Sequence, residues 1–524
     1  MCGICFILGL SEDGIRKKSI DITSLLNCRG PDITDSKVVQ INDKLTCLFE
    51  GFVLWLQGEI PQKQPIIDEE ENTFLWNGDN FDFERDLKLS DSFSIAKEIR
   101  NKSEEELLLY LSAIEGPWSF IYYSKSRQKI YFGRDTFGRH SLLWTPPEAS
   151  LDNFILCSVA RRQDDLKEVP ALGIYSADIN SILSKGIVYL HPFNHVTKDQ
   201  LLAEDLKHVK ILSFRLNHNI DTPLFKELPS EDTLQELKNY PHSLEGEHLS
   251  IIASLLEKEI RNFNQVFKQS MVKRINACPS KCKNCTSREV CSHSKFGVLF
   301  SGGLDSTVIA LFLSKCLPSN ESIDLLNVSF GNGSSSSKGN RKKKEEKDAH
   351  SRPEINFTSP DRISALASLK ELQAIDKSRI WNFVEINITA EELRAKRDDL
   401  IHHLIAPHSS VLDDSIGCAL YFCGRGEGLL NGKMYSSPSR VIFSGLGADE
   451  QLGGYSRHRG RFSESGWSGL LEELDLEMGR IHSRNCGRDD RVLSHHGRTA
   501  RFPYLDEGVV SFLNSLPIWT KANL

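Results

Sequence analysis

One short segment combines the residues best suited to chemistry: the apolar run 298–300 is followed by Ser301-Gly302-Gly303-Leu304-Asp305-Ser306. This pattern predicts a buried strand, a glycine turn and a helix whose first N–H groups attract an anion. Glycines let a phosphate approach the backbone closely, and serine hydroxyls donate to its oxygens. A carboxylate at Asp305 would repel that phosphate unless a divalent cation lay between them. The segment therefore predicts a magnesium pyrophosphate site that is not the usual P-loop; the alternative is a plain Gly/Ser turn.

A second candidate is Cys2, which becomes the N-terminal residue if Met1 is removed. Its thiol then lies beside a free α-amino group, and this amine, with a pKa near about 8, can act as the base that activates the thiol. The Met-Cys-Gly start is weak support by itself, since many small second residues have no role.

Further polar residues follow Cys2 at predicted turns and element ends. Arg29 stands in an Arg-Gly-Pro-Asp turn, where its fork suits a carboxylate. Asn77 and Gly78 follow a strand-like run, so an amide and an N–H could form an oxyanion hole. Asp91 opens a predicted helix, where it could cap the helix or hold an ammonium group. Each residue also has a structural interpretation as a turn residue, a hairpin turn or a simple cap.

The elements around these residues indicate two or three domains, because 524 residues exceed what one core usually holds. Residues 1–180 are mostly strands with one or two helices, and the polar residues 181–245 are predicted to be a linker region. In 246–524 strands alternate with helices, which predicts a doubly wound parallel sheet with its ligand at the carboxyl ends of the strands. Residues 331–356 are rich in Ser, Lys and Glu and are expected to form a disordered insert.

The composition argues against several classes of protein. A net charge of −7 lacks the basic balance of a nucleic-acid binder. No apolar run approaches the roughly 18 residues of a membrane span, and the start of the chain lacks a basic signal-peptide region. We expect a soluble, cytoplasmic protein that binds neither nucleic acid nor membrane.

The thirteen cysteines are scattered along the chain, as free thiols in a reducing compartment would be. Four of them lie within fourteen residues: Cys278, Cys282, Cys285 and Cys291. They include a Cys-x-x-Cys unit that could bind zinc, but their spacing is not that of a two-knuckle site. A zinc site and a solvent-exposed loop both remain open.

In this order, Cys2, the Arg29 turn, Asn77-Gly78 and Ser90-Asp91-Ser92 resemble the class II glutamine amidotransferases. The Ser301 segment is similar to the pyrophosphate loop of ATP pyrophosphatases. The C-terminal half resembles the glutamine-dependent asparagine synthetases, whose motifs are matched by Ser-Gly-Leu-Gly-Ala-Asp-Glu at 444–450 and Arg-Phe-Pro-Tyr-Leu-Asp at 501–506. The resemblance implies an α/β multi-domain protein with an N-terminal-nucleophile αββα glutaminase domain and a doubly wound parallel α/β ATP-pyrophosphatase domain.

The resemblance also implies roles for individual residues. Cys2 would be the nucleophile, Asn77 and Gly78 the oxyanion hole, and Arg29 and Asp91 the partners of the α-carboxylate and α-ammonium of glutamine. Ammonia from glutamine would amidate aspartate through an aspartyl adenylate, so the implied substrates and cofactors are glutamine, aspartate, ATP and Mg²⁺. The implied ATP and pyrophosphate residues are Phe300 and Val328 near adenine, with Ser301, Gly302, Gly303, Asp305, Ser306, Gly445 and Asp449. Asp305 and Asp449 would hold magnesium.

Two departures from this family affect the expected activity. Leu446 stands where the synthetases have Glu, and further helices that carry a basic residue near the phosphates are expected to be missing after residue 524. Three interpretations therefore remain open: a glutamine-hydrolysing asparagine synthetase of low activity, a pseudoenzyme or scaffold of the same fold, and an amidotransferase for another carboxylate substrate. The sequence does not indicate the oligomeric state.

Overall fold

The computed structural model describes residues 2–522, except 149–150, 204–205, 219, 221, 238–246, 279–281, 286–290, 292 and 332–355. Its strands are, in chain order, β1 (Gly3–Gly9), β2 (Ile33–Asn42), β3 (Leu45–Val53), β4 (Ile66–Ile67), β5 (Thr73–Gly78), β6 (Trp118–Ser124), β7 (Lys129–Arg134), β8 (Leu143–Trp144), β9 (Asn153–Cys157), β10 (Lys167–Glu168), β11 (Gly173–Asp178), β12 (Val188–Pro192), β13 (Val209–Ile211), β14 (Phe296–Leu299), β15 (Ile323–Phe330), β16 (Trp381–Ile388), β17 (Glu427–Leu430), β18 (Lys433–Ser436), β19 (Val441–Phe443) and β20 (Thr499–Arg501).

Its α-helices are α1 (Glu12–Arg29), α2 (Asp91–Ile99), α3 (Glu104–Ser112), α4 (Ile182–Lys185), α5 (Lys198–Ala203), α6 (Glu231–Leu237), α7 (Glu247–Leu255), α8 (Glu257–Asn276), α9 (Leu304–Cys316), α10 (Pro360–Ile375), α11 (Ala390–Lys396), α12 (His402–Leu404), α13 (Val411–Arg425), α14 (Ala448–Leu452), α15 (Ser456–Ile481), α16 (Gly487–Ser494), α17 (Glu507–Ser515) and α18 (Ile518–Lys521). Short 3₁₀ turns lie at Arg162–Asp164 and Pro503–Leu505, and π-helical turns at Arg397–Ile401 and His482–Cys486.

Two packed sheets form the N-terminal half, in the strand orders β10-β8-β9-β1-β3-β2 and β13-β12-β11-β7-β6-β5-β4. Successive side chains of a strand point to opposite faces. In β1, Ile4, Phe6 and Leu8 join the apolar core shared with the second sheet, whereas Cys5 and Ile7 pack with α1. Helices α2 and α3 pack against the second sheet. The layers are therefore helix, sheet, sheet and helix, with β1 buried on both faces.

The C-terminal half is built on a seven-stranded sheet in the order β18-β17-β16-β15-β14-β19-β20. Strands β14, β15, β16, β19 and β20 pair in parallel, and β17 and β18 are antiparallel at one edge. The chain runs outward from β14 to β16 and then returns to β19 on the other side of β14. Strand order thus reverses between β14 and β19, where a ligand crevice forms in such sheets. The predicted doubly wound parallel sheet is confirmed for these five strands.

The structure differs from the sequence prediction in the expected linker, 181–245. Within it β12 pairs with β11, and β13 pairs in parallel with β12, so the second sheet continues past residue 180. The mostly buried run Val188–Pro192 was a local signal for a strand, but the polar character of the surrounding residues outweighed it. The expected disordered insert, 331–356, lies outside the described residues for 332–355. Among the helices of the described part of the chain, none has the combined length and apolar character that crossing a membrane requires.

Candidate functional site

Cys2 lies just before β1, buried at the wall of a pocket in the N-terminal half. Its backbone N–H donates to Oδ1 of Asn77 at 2.9 Å, and Nε2 of Gln64 donates to its sulfur at 3.7 Å. Gly78 and Asp91 line the same pocket. The structure therefore brings together four of the five residues that the resemblance assigns to glutamine, and Arg29 is the exception.

The environment of the Cys2 thiol favours its neutral form. Burial raises the pKa of this thiol above its ordinary value, and the nearby Asp91 carboxylate raises it too. The Leu54 N–H and the Arg29 guanidinium lower that pKa without offsetting burial. Since the thiolate is the nucleophile, this cysteine needs a base close to its sulfur. The nitrogen of Cys2 itself becomes such a base when it is a free amine.

Asn77 and Gly78 end β5 at the pocket. Pairing of β5 with β6 holds them, because Asn77 lies opposite Ser119 and Gly78 opposite Trp118. The Asn77 side chain turns its oxygen toward the Cys2 nitrogen, while its NH₂ group donates to Ser119 Oγ at 3.4 Å. In this arrangement Asn77 positions the start of the chain. Its NH₂ group would have to turn toward the pocket to serve as an oxyanion donor.

Asp91 is the buried carboxylate of the pocket, at the first position of α2. Its two oxygens accept from Nε1 of Trp76 at 3.1 Å and from the N–H of Ser92 at 2.7 Å. Burial raises its pKa to about 6, and the neighbouring Asp79 carboxylate adds to the rise. A cationic group of a ligand would favour the ionised form of Asp91, as expected for a partner of the glutamine α-ammonium.

Arg29 has a different main contact from the one expected. It ends α1, where Gly30 passes so close to β3 that an added Cβ would lie 1.9 Å from the carbonyl oxygen of Phe52. Its side chain is fully buried, with Nη2 2.8 Å from Oδ2 of Asp490 in the C-terminal half. Its Nε lies 3.5 Å from the carbonyl oxygen of Cys2, and Nη1 has no hydrogen-bond partner among the described residues. Arg29 thus contacts the backbone carbonyl of Cys2 and is not among the residues that line the pocket.

The Ser301 segment forms the predicted strand end, turn and helix start. Gly302 has φ +80°, and an added Cβ there would lie 2.2 Å from the backbone nitrogen of Ala365 in α10. Gly303 is the residue just before α9 and donates its N–H to Ser301 Oγ at 3.3 Å. The Ser306 hydroxyl donates to the Gly303 carbonyl at 3.0 Å. The turn therefore requires glycine and already has its serine hydroxyls oriented around it.

The second glycine loop, residues 444–447, follows β19 and meets the first at the reversal of strand order. An added Cβ on Gly445 would lie 3.1 Å from Cβ of Asp305. Burial raises the pKa of Asp305 to about 6, with further contributions from the carboxylates of Asp449 and Glu450. Burial also raises the pKa of Asp449, although His458 and Arg457 oppose it. Burial disfavours both carboxylates as anions, and the charge of Asp449 adds to the effect on Asp305. Such an arrangement suits a divalent cation, so Asp305 and Asp449 fit the expected magnesium pair.

Phe300 and Val328, expected near adenine, lie at the carboxyl ends of β14 and β15. Two hydrogen bonds hold the backbone of Phe300. The Phe300 N–H donates to the Leu326 carbonyl at 2.9 Å, and the side-chain NH₂ of Asn327 donates to the Phe300 carbonyl at 2.8 Å. The pairing of β14 with β15 ends at Leu326, so β14 does not cover the edge of β15 at Val328. These two positions flank the crevice beyond the strand ends.

Leu446, where a Glu was expected, is half-buried and packs on an apolar cluster that includes Phe137 of the N-terminal half and Phe502. Its N–H donates to Ser444 Oγ at 3.3 Å. The side chain therefore contacts apolar side chains of both halves. A charged group at this position would contact the same apolar side chains.

Two residues of these sites were missed. Gln64 contacts the Cys2 sulfur and accepts from the Trp76 N–H at 2.6 Å, but it lies in a polar stretch with no motif. Glu450 adds a third carboxylate beside Asp305, and its position directly after Asp449 was a signal that the sequence contained. The carboxylate of Glu450 is held by the Tyr455 hydroxyl at 2.7 Å, so it acts on the site by charge.

Ion pairs, three of them buried, connect the two halves around both sites. They join residues far apart in the chain, which no local pattern could reveal. The pairs are Arg29 with Asp490 at 2.8 Å, Asp32 with Arg440 at 2.8 Å, Asp79 with Arg501 at 3.0 Å and Arg139 with Glu507 at 2.6 Å. An apolar cluster shared by β1, α1 and the C-terminal sheet completes the contact between the halves.

The family model "Asparagine synthase" matches residues 281–467. The human asparagine synthetase domain-containing protein 1 is 39% identical, covering 100% of this chain and 89% of that protein. A Drosophila melanogaster asparagine synthetase domain-containing protein is 33% identical over 99% of this chain and 90% of its own length. The glutamine-hydrolyzing asparagine synthetase of Gallus gallus is 22% identical, over 99% of this chain and 77% of that enzyme. The chain therefore belongs to the family of asparagine synthetase domain-containing proteins.

Proposed function

We propose that this chain releases ammonia from glutamine at Cys2 and uses ATP to amidate aspartate in the crevice between β14 and β19. The observation that carries the proposal is the meeting of two glycine loops at the reversal of strand order, with Asp305 from one loop facing Gly445 of the other. The similarity to a glutamine-hydrolyzing asparagine synthetase supports the same assignment. In this proposal the N-terminal half is an N-terminal-nucleophile glutaminase domain.

At the first site the chain needs a free amine on Cys2, which requires cleavage of the peptide bond before it. This amine takes the thiol proton, and Asn77 Oδ1 accepts a hydrogen bond from the resulting ammonium. The thiolate then attacks the side-chain amide carbon of glutamine while Asp91 holds the α-ammonium. Ammonia leaves with the proton returned by the Cys2 amine, and water hydrolyses the thioester to glutamate.

At the second site the N-terminus of α9 and the Gly302–Gly303 turn hold the phosphates of ATP. Asp305 and Asp449 would hold Mg²⁺, which would neutralise charge on these phosphates. The carboxylate of aspartate attacks the α-phosphate, which gives an aspartyl adenylate and pyrophosphate. Ammonia then displaces AMP to form asparagine. The protein contributes mainly positioning and electrostatics, as is usual for transfers at phosphorus.

The glutaminase step is tested by glutamate release from glutamine by the purified full chain, together with the intact mass. We expect a chain that begins at Cys2, hydrolysis by the parent and loss of hydrolysis in Cys2→Ala with an unchanged thermal midpoint. Cys316→Ala is the matched control, because this half-buried cysteine at the end of α9 lies outside both sites. A protein that retains Met1, or a Cys2→Ala variant as active as the parent, would contradict the assignment.

The synthetase step is tested by asparagine formation from glutamine, aspartate and magnesium ATP, with AMP as the second product. A second candidate function is amidation of another carboxylate substrate. It is favoured by Leu446, an apolar residue that packs on an apolar cluster and stands where ordinary synthetases have Glu. ATP–pyrophosphate exchange across a panel of carboxylic acids distinguishes the two. Exchange with aspartate supports the first function and exchange with another acid alone supports the second. Absence of exchange with every acid, together with absence of glutamine hydrolysis, would leave only a scaffold of the same fold.

A further inference from the structure

A cluster of three cysteines and one histidine lies between α8 and β14, away from both sites described above. Its members are Cys282, Cys285, Cys291 and His293, and their ligand atoms all lie within 4.8 Å of one another. The four cysteines noted in the sequence therefore do not form one set. Cys278 packs against the apolar core of the C-terminal half instead, and His293 takes the fourth position.

The distances inside the cluster match the edges of a tetrahedron around a metal ion. Bonds of about 2.3 Å from zinc to sulfur and about 2.0 Å to nitrogen place tetrahedral ligand atoms about 3.5 to 3.8 Å apart. Sγ of Cys285 lies 3.6 Å from Sγ of Cys291. Nδ1 of His293 lies 3.7, 3.3 and 3.8 Å from the sulfurs of Cys282, Cys285 and Cys291. All thirteen cysteines are free, and a sulfur separation of 3.6 Å is far longer than the roughly 2.05 Å of a disulfide.

The surroundings hold the cluster in place and supply compensating positive charge. The N–H of Lys283 donates to the Pro438 carbonyl at 2.7 Å, and Nε of Arg440 donates to the Cys282 carbonyl at 3.4 Å. Three thiolates around a divalent ion carry a net charge of −1, which these cationic side chains oppose. Arg440 also pairs with Asp32 of the N-terminal half at 2.8 Å. The cluster thus lies beside one of the ion pairs that join the two halves.

We propose that Cys282, Cys285, Cys291 and His293 bind one structural zinc ion, in the spacing Cys-x₂-Cys-x₅-Cys-x-His. Thiolate and imidazole ligands in tetrahedral geometry select zinc over magnesium or calcium. Four protein ligands leave no open position for a substrate, which is the mark of a structural site. The ion ties Cys282 and Cys285 to Cys291 and His293, and Cys282 and Lys283 connect it to Arg440 and Pro438. It thereby holds Arg440 where it meets Asp32.

The first test is the metal content of the full chain, purified without chelators and measured by inductively coupled plasma mass spectrometry. We expect about one zinc per chain in the parent and nearly none in Cys285→Ser and His293→Ala. The matched control is Cys278→Ser, which removes a cysteine of the same segment that is not a ligand and should keep the full zinc content. A zinc-free parent would overturn the proposal. Loss of zinc in Cys278→Ser, with zinc kept in His293→Ala, would overturn the ligand set.

A second measurement uses only the parent protein, in case the ligand variants do not fold. Alkylation by iodoacetamide, mapped by peptide mass spectrometry, is compared before and after treatment with a zinc chelator. We expect Cys282, Cys285 and Cys291 to be protected at first and to react together once zinc is removed, while the half-buried Cys316 reacts equally in both cases. Equal labelling of the three cysteines with and without the chelator would refute the site.

Discussion

Replacing Asp91 with Asn is expected to stabilise the protein while weakening its interaction with glutamine. The pKa of this buried carboxyl is raised to about 6, from the 3.8 of an ordinary aspartate side chain. At about 1.36 kcal/mol per unit, the rise corresponds to at most about 3 kcal/mol by which the ionised group destabilises the fold above pH 6. An Asn carries no charge, and its single oxygen keeps the hydrogen bond from either Trp76 or Ser92. Loss of the other hydrogen bond costs about 0.5–1.5 kcal/mol, so part of this energy is regained as net stability.

The pH dependence follows from the direction of the shift. Because the folded pKa is raised, the unfolded carboxyl ionises first, and the penalty develops between about pH 4 and pH 6. The difference between the thermal midpoints of Asp91→Asn and the parent should be small at pH 4, about half its full size at pH 5 and constant above about pH 6.5. Asp361→Asn is the control, because Asp361 is an exposed carboxylate in the first turn of α10, where it stabilises the helix by about 0.3–1 kcal/mol. We expect that control to lower the midpoint slightly.

The same variant should raise the glutamine KM. A hydrogen bond to a charged group contributes about 1.5–3 kcal/mol, which corresponds to roughly 10- to 150-fold in affinity. Glutamate release is measured as a function of glutamine concentration at pH 8 for the parent and Asp91→Asn. A midpoint at pH 8 equal to or below that of the parent would refute the electrostatic reasoning. An unchanged KM would refute the role of Asp91 in binding glutamine.

Three further changes test the second site. Gly302→Ala should lower the thermal midpoint and prevent ATP binding, because its Cβ would clash with α10. Gly432→Ala is the control, since Gly432 also has a positive φ but an added Cβ would have no atom within 4 Å and would cost only backbone strain. Calorimetry of both variants separates the steric clash from the backbone strain. Asp305→Ala should weaken the binding of magnesium ATP by well over tenfold, the factor that corresponds to about 1.4 kcal/mol. Equal affinities of the variant and the parent in titration calorimetry would show that the loop does not bind magnesium ATP. If the lack of the carboxylate that Leu446 replaces slows the reaction by about 10²–10⁴, Leu446→Glu should restore part of the asparagine formation. The gain should increase between pH 7 and 9, because apolar neighbours raise the pKa of the new carboxyl. A parent already as fast as ordinary synthetases would exclude this account.

Local signals predicted the conformation of the Ser301 segment. The apolar residues before Ser301, the paired glycines and the following helix determine their own conformation within about fifteen residues. The alternation of strands and helices then places both glycine loops at carboxyl ends of parallel strands. That β14 and β19 are direct neighbours was not contained in either motif, and it follows from packing of the whole sheet.

Contacts between distant residues could not be predicted. Arg29 was interpreted from its turn, but its charge is paired with Asp490, 461 positions further along the chain. The cysteine segment was recognised by spacing, which cannot tell that Cys278 turns into the core and that His293 replaces it. The strand β13 acquires its conformation from pairing with the second sheet and lies in a polar stretch, whereas the apolar run of β12 was a signal that the sequence contained.

The buried ion pairs between the two halves limit how the halves can be exchanged between related proteins during evolution. Removing one partner of a buried pair typically costs about 3–5 kcal/mol, because the other charge is left without compensation. Joining one half to the corresponding half of a distant relative would leave several such charges unpaired in the new interface, among them Arg29 and Asp79 on one side or Asp490 and Arg501 on the other. Recombination that exchanges one half as a module is therefore selected against. The two halves should change together over evolution, with compensating substitutions appearing in pairs across the seam.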